Sequence, residues 1–141
     1  MAKKSNKQES EEAPVKKKRK LGARNKAKGS EYERQIAKEL RELGFENVVT
    51  SRSESKRTDN NKIDLIDLDK KLPVSIQLKK STNTPQYFKI REESTVDPTT
   101  FVIIWNKQEK ANVNFMSVGE VVLLDKKLFY ELIKPYANKE P

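Results

Sequence analysis

The sequence predicts a small α/β domain, a mixed β-sheet flanked by helices, preceded by a disordered basic arm. Three observations predict it. Residues 1–28 are rich in Lys, Glu, Ser and Asn, with almost no large apolar residue. Residues 30–43 carry apolar side chains at helical spacing. Short β-branched runs separated by polar turns follow, and a second helical pattern closes the chain. The division is therefore 1–28 for the arm and 29–141 for the domain.

The first helix begins at Gly29-Ser30, where Ser30 is a good N-cap and Glu31 and Glu33 lie in the turn whose dipole favours acids. Tyr32, Ile36, Leu40 and Leu43 recur in steps of four, four and three, with Ala37 alongside, and define the buried face. Gly44 stops the helix. Phe45 to Thr50 reads as a short strand centred on Val48-Val49. Ser51 to Lys62 is a polar loop without an apolar residue. Ile63 to Leu68 and Val74 to Lys79 are strands joined by the hairpin segment Asp69 to Pro73. Thr100 to Trp105 is β-branched and aromatic, as in a buried strand. Lys107 to Asn112 reads as a turn before a further strand at Val113 to Met116. Two readings stay open next: Ser117 to Glu120 has capping-box spacing, whereas Val121 to Leu124 suits a strand. Asp125 then N-caps a helix with Leu128, Phe129, Leu132 and Ile133 on one face, ending near Pro135.

Composition excludes several chemistries. The 141 residues include neither cysteine nor histidine. Disulfides, Cys-ligated zinc, Ser-His-Asp triads and His bases are therefore impossible within this chain. Acid–base or metal chemistry must run on Asp, Glu, Lys, Tyr, Ser and amide oxygens. No apolar run reaches the roughly 20 residues of a membrane helix, and the basic start lacks a signal-peptide core. The expectation is a cytoplasmic, DNA-associated protein without membrane contact, a nuclear location being the lesser alternative.

The formal net charge of +9 is uneven. Residues 1–29 carry +8 and the remainder only +1. The run Lys16-Lys17-Lys18-Arg19-Lys20 suits an arm that binds DNA by releasing counterions from phosphates. It also resembles a nuclear-localisation signal, and it would equally serve as a solubilising tail.

The chemistry-bearing residues gather on one predicted hairpin. In the strand Val74 to Lys79 the apolar residues Val74, Ile76 and Leu78 alternate with Ser75, Gln77 and Lys79. Gln77 and Lys79 then share a face, roughly 6.5–7 Å apart. Asp64 begins the neighbouring strand and reaches that face. A carboxylate, an amide oxygen and an ammonium group in one place suit Mg²⁺, or Mn²⁺ in its stead, with water and a phosphate oxygen completing the coordination. Lys79 would orient the attacking water or stabilise the transition state. An amphipathic hairpin with a solvated polar face would show the same pattern.

In order and spacing these residues resemble the PD-(D/E)XK nuclease superfamily and, within it, the archaeal-type Holliday junction resolvases. The matching residues are Lys28-Gly29-Ser30, Glu33-Arg34, Gly44-Phe45, Ser53 to Arg57, Asp64 and Gln77-Leu78-Lys79, spanning about residues 28–82. The resemblance implies a restriction-endonuclease-like core and a metal-dependent DNA endonuclease, selective for branched or four-way junctions and acting as a homodimer. It implies Asp64 as central metal ligand, Gln77 at the second acidic position, the Leu78 carbonyl oxygen as a further ligand, and Glu33 contributing through water. Lys79 is the implied catalytic lysine and Ser53 a loop serine near the scissile phosphate. Arg34, Arg52, Lys56, Arg57 and Lys80 are implied phosphate contacts. Two residues depart from the pattern: Gln77 replaces the usual Glu and removes a negative charge, and Glu54 stands where these resolvases often carry Gly. The alternatives are another nuclease of this fold, for repair, restriction or replication, and a DNA-binding module that has lost catalysis.

Overall fold

The structure, a computed structural model, describes residues 29–51 and 63–140. The basic arm and the loop residues 52–62 lie outside the described residues. By its contacts the chain divides into Met1–Tyr32 and Glu33–Pro141, and all five strands belong to the second unit.

The chain folds as the expected α/β class. Helix α1 covers residues 29–42, followed by β1 (Val48–Thr50), β2 (Leu65–Asp67) and β3 (Ser75–Ser81). Then come α2 (Tyr87–Glu93), β4 (Phe101–Ala111), β5 (Asn114–Leu124) and α3 (Lys126–Ile133). The strands form one mixed sheet in sequential order, β1-β2-β3-β4-β5. Only the β3–β4 pair is parallel, and its crossover contains α2.

Helix α1 ends as the glycine predicts. Gly44 adopts φ 118°, a conformation open to a residue without a Cβ. The Gly44 N–H donates to the Arg41 carbonyl and the Phe45 N–H to the Leu40 carbonyl, both at 3.1 Å. This pair of bonds is a Schellman stop, which satisfies carbonyls the helix leaves over. Tyr32, Ile36 and Ala37 are buried as expected. Leu43 is not: it is 75% exposed, because the helix is already unwinding there. Ser30 lies inside the helix and does not cap it.

The hairpin between β2 and β3 is held by one carboxylate. The side chain of Asp67 accepts from the backbone N–H groups of Asp69, Lys71 and Leu72 at 2.9–3.0 Å, while Lys70 takes the positive φ of the turn. Desolvation pushes the Asp67 carboxyl up. The donors from Leu72, Asp69 and Lys71, with the Lys71 charge, outweigh it and hold the group below the usual carboxylate range.

The second half of the sheet differs from expectation. Lys107 to Ala111 is strand, and β4 turns into β5 through Asn112, at φ 57°. Charged residues such as Lys107, Glu109 and Lys110 carry no strand preference of their own. Their conformation comes from pairing with β5. Ser117 to Glu120 is likewise strand, so the capping-box alternative falls. The hairpin carries a register shift between Lys107 and Gln108. Asp125 does cap α3, its carboxylate accepting from the Lys127 N–H at 2.9 Å. Of that helix's predicted face Leu128 is buried, while Phe129 and Ile133 are exposed.

One core cluster joins Ile63, Phe101 and Ile103, with Tyr87 and Ile90 of α2 and Val96, Trp105 and Leu123 packed against it. Phe101 and Ile103 are completely buried, which stabilises by about 1.5–3 kcal/mol each. Helix α2 thus covers the sheet face that Phe101 and Ile103 occupy.

Candidate functional site

The site is set by the register of three strands. Leu65 on β2 pairs with Ile76 on β3. Asp64, directly before Leu65, is bonded to β3 on either side of Gln77, at Ile76 and at Leu78. Backbone bonds fix the position of Asp64: its N–H donates to the Ile76 carbonyl at 2.9 Å, and its carbonyl accepts from the Ser51 N–H at 2.8 Å. Its carboxylate Oδ2 accepts from the Leu78 N–H at 2.6 Å. Asp64 is therefore bound to the strand that carries Gln77 and Lys79. A carboxylate can accept from several partners at once.

Gln77 departs from the amphipathic expectation. The alternation predicts a solvated amide, yet Gln77 is only 7% exposed. β4 lies beside it, with Ile103 as its register partner. Its Oε1 is buried and accepts no hydrogen bond. A buried amide oxygen without a donor is unfavourable by about 1–3 kcal/mol. A native polar atom in that state calls for an explanation, and the binding of a cation is one.

Lys79 follows on the same face and pairs with Trp105 of β4. Leu78 faces the other side and is buried. Lys80 also faces that other side and is exposed, so the strand does not bring it beside Gln77 and Lys79. Glu33 is buried on α1, at 6% exposure, and Arg34 beside it is exposed. Lys16 to Lys20, Arg52, Ser53, Lys56 and Arg57 lie outside the described residues.

Among the described residues, no three Asp, Glu, His or Cys side chains stand together as a metal-holding group. The sequence supplies a reason: of the expected ligand side chains only Glu33 and Asp64 are acidic, and Gln77 is neutral. The donor set still fits a hard divalent cation. Mg²⁺ needs oxygen ligands, keeps several waters and is commonly held by one or two carboxylates. Asp64 supplies a carboxylate and Gln77 a buried oxygen lacking a donor.

Sequence reasoning missed Trp105 and Lys107, which extend this face beyond Lys79 in register with β3. Trp105 was visible as a strand residue, but Lys107 forms strand only through its pairing with β5, and the place of both on this face depends on the β3–β4 register.

The comparisons agree with the geometry at the level of the family. No curated protein and no solved structure matches the chain. The family model described as archaeal Holliday junction resolvase (hjc) matches residues 24–125, a span containing every described element from α1 to β5. The chain belongs to the archaeal Holliday junction resolvase family, a family of PD-(D/E)XK-like nucleases that act on DNA junctions.

Proposed function

We propose that this protein is a metal-dependent endonuclease that binds four-way DNA junctions and cuts their phosphodiesters to leave 5′-phosphate and 3′-hydroxyl ends. The observation that carries the reading is the buried, hydrogen-bond-free Oε1 of Gln77, on the strand between the two residues to which Asp64 is bonded, with Lys79 next on the face of Gln77.

A divalent cation held there, Mg²⁺ or Mn²⁺, would supply Lewis acidity and a more acidic bound water. Asp64 and Gln77 would hold it, the Leu78 carbonyl oxygen would add a further ligand, and Glu33 would contribute through water. The Asp64–Leu78 bond keeps the carboxylate aimed at one place. Lys79 would turn its ammonium to the phosphate and offset the charge that develops there. Ser53 with Arg52, Lys56 and Arg57 in the loop, together with Arg34 and Lys80, would contact the DNA backbone. The run Lys16 to Lys20 would add affinity that falls with salt.

Two strands must be cut symmetrically, which calls for a homodimer. β5 is one of the two edge strands of the sheet. On the face opposite Trp105 it exposes Phe115 and Val122, at 56% and 52%. An apolar edge strand left bare invites pairing or aggregation, and a second copy of the chain would cover it.

The test is cleavage in Mg²⁺ or Mn²⁺ of a four-way junction, a linear duplex and single strands. Paired symmetric nicks confined to the junction are expected. Cutting of plain duplex or of ends would replace the reading with another nuclease of the fold. Binding without cutting in either metal would show a DNA-binding module, the reading that the neutral Gln77 favours.

A further inference from the structure

The face that carries Gln77 and Lys79 does not end at β3. Its next row is formed by register partners: Lys79 beside Trp105 on β4, and Trp105 beside Val121 on β5. One row further stand Ser81, Lys107 and Gly119. Helix α2 covers the preceding row, where Ile103 and Leu123 pack. At the Trp105 row this cover thins, and Val121 is 50% exposed. Gly119 presents no side chain, and the space around its Cα is open.

Trp105 is fixed in this strip. One part of it packs against the Ile63, Phe101 and Ile103 cluster. Its indole N–H donates to Ser81, to Oγ at 3.1 Å and to the carbonyl at 3.3 Å. The Lys107 ammonium donates to the Thr82 carbonyl and lies 5.8 Å from the centre of the indole ring. A pre-positioned aromatic ring, flanked by one lysine in its own row and another in the next, is the arrangement that grips a nucleic-acid strand. The ring takes a base face and the cations take phosphates.

We propose that Trp105 and Lys107 form a DNA subsite next to the cleavage centre, in which the indole stacks on a base exposed at the branch point and Lys107 contacts a neighbouring phosphate. The assignment rests on the reading of Lys79 as part of the cleavage centre. It adds a source of selectivity for branched DNA. In a continuous duplex every base face is covered by its neighbours, so the indole finds nothing to stack on, whereas a branch point offers an uncovered base.

Trp105 is the only tryptophan of the chain, so its fluorescence reports on this subsite alone. The full-length protein, without divalent metal so that nothing is cut, is titrated with a four-way junction and with a linear duplex. A dye-labelled copy of each DNA reads binding separately by anisotropy. Saturating junction should quench Trp105 with the same midpoint as the anisotropy, and duplex should quench it less. In companion variants, Trp105→Leu should weaken junction binding roughly ten-fold while Trp105→Phe retains most of it. Lys107→Gln should reduce the slope of log K against log salt by about one. A junction that binds but leaves Trp105 unquenched, or a duplex that quenches it equally, overturns the subsite and leaves the proposed cleavage reaction standing. Quenching by a junction that is never cut in Mg²⁺ or Mn²⁺ supports the subsite and refutes the reaction. Absence of binding to either DNA refutes both.

Discussion

The strands on either side of β4 reverse the usual relation between polarity and burial. β3 carries Gln77 and Lys79 yet buries Ile76, Gln77 and Leu78 in succession. β5 carries Phe115, Met116, Val118, Val121 and Val122 and exposes all of them. Polar residues inside and apolar residues outside are the informative exceptions to burial, because each leaves a free-energy deficit that something must offset. On β3 the deficit is an amide oxygen without a donor, which the proposed cation would offset. On β5 it is apolar surface in water, which the proposed second copy of the chain would offset. One sheet thus carries the two kinds of deficit two strands apart.

The strongest test of the β3 half is Asp64→Asn. The amide oxygen can still accept from the Leu78 N–H, so the fold should survive and the melting temperature should hardly move. The carboxylate is lost, and cleavage of the junction should fall on the order of 10³-fold or more, with binding retained. A variant that folds and still cuts would remove Asp64 from the site. Lys79→Ala should give the same separation of cleavage from binding.

The contrast in burial sharpens through a pair of substitutions. Phe101→Ala empties a fully buried position on β4 and should destabilise the fold by about 3–5 kcal/mol in denaturant titration. Val122→Lys lies on exposed β5 and should change the stability of a single chain by less than about 0.5 kcal/mol. It should nevertheless abolish self-association in sedimentation, since it sets a charge within the apolar contact. If Val122→Lys stays associated, the second copy docks elsewhere.

How far the sequence reveals this contrast depends on which interactions decide each element. Helix α1 and its stop at Gly44 are local, set by spacing and by one residue able to take φ 118°, and they are legible. So is the Asp125 cap, which is a contact between neighbours in sequence. Alternation alone correctly puts Gln77 and Lys79 on one face. It does not reveal that Gln77 is buried, because that depends on β4, which enters the chain more than twenty residues later and lies alongside in parallel. The length of the β4–β5 hairpin is hidden for the same reason. Lys107 to Ala111 form strand only through partners on β5, so local propensity read them as a turn. Trp105 was legible as a buried-strand residue. Its place beside Lys79 required the β3–β4 register.

Gln77→Glu sharpens the β3 half further. It places a negative charge at the proposed ligand position. Metal affinity rises with the number of charged ligands, so cleavage should persist at lower Mg²⁺. The concentration for half-maximal activity should drop by roughly ten-fold, as about 1.4 kcal/mol of added attraction would produce. A large loss of activity instead would mean that Gln77 contributes something other than a ligand oxygen. Without metal the same variant should be less stable, because a buried carboxylate then lacks a counter-charge.

The smallest effect is expected where α3 joins β5. Asp125 accepts from the Lys127 N–H and forms an ion pair with Arg91 of α2 at 3.1 Å. The backbone bond from Lys127 first, and then Arg91, hold its carboxyl below the ordinary range. A carboxylate with a depressed folded-state pKa contributes its stabilisation fully above the unfolded value of about 4. It loses that contribution as the pH falls through the lower, folded value. The melting temperature should therefore be insensitive to this group near neutrality and should decline on acidification below about pH 4. Asp125→Asn keeps a capping oxygen but removes the charge. It should lower stability slightly at neutral pH and shrink the acid-side decline, leaving junction cleavage unchanged. If cleavage changed as well, α3 would be coupled to the β3 site, and the separation between the two halves of the sheet would not hold.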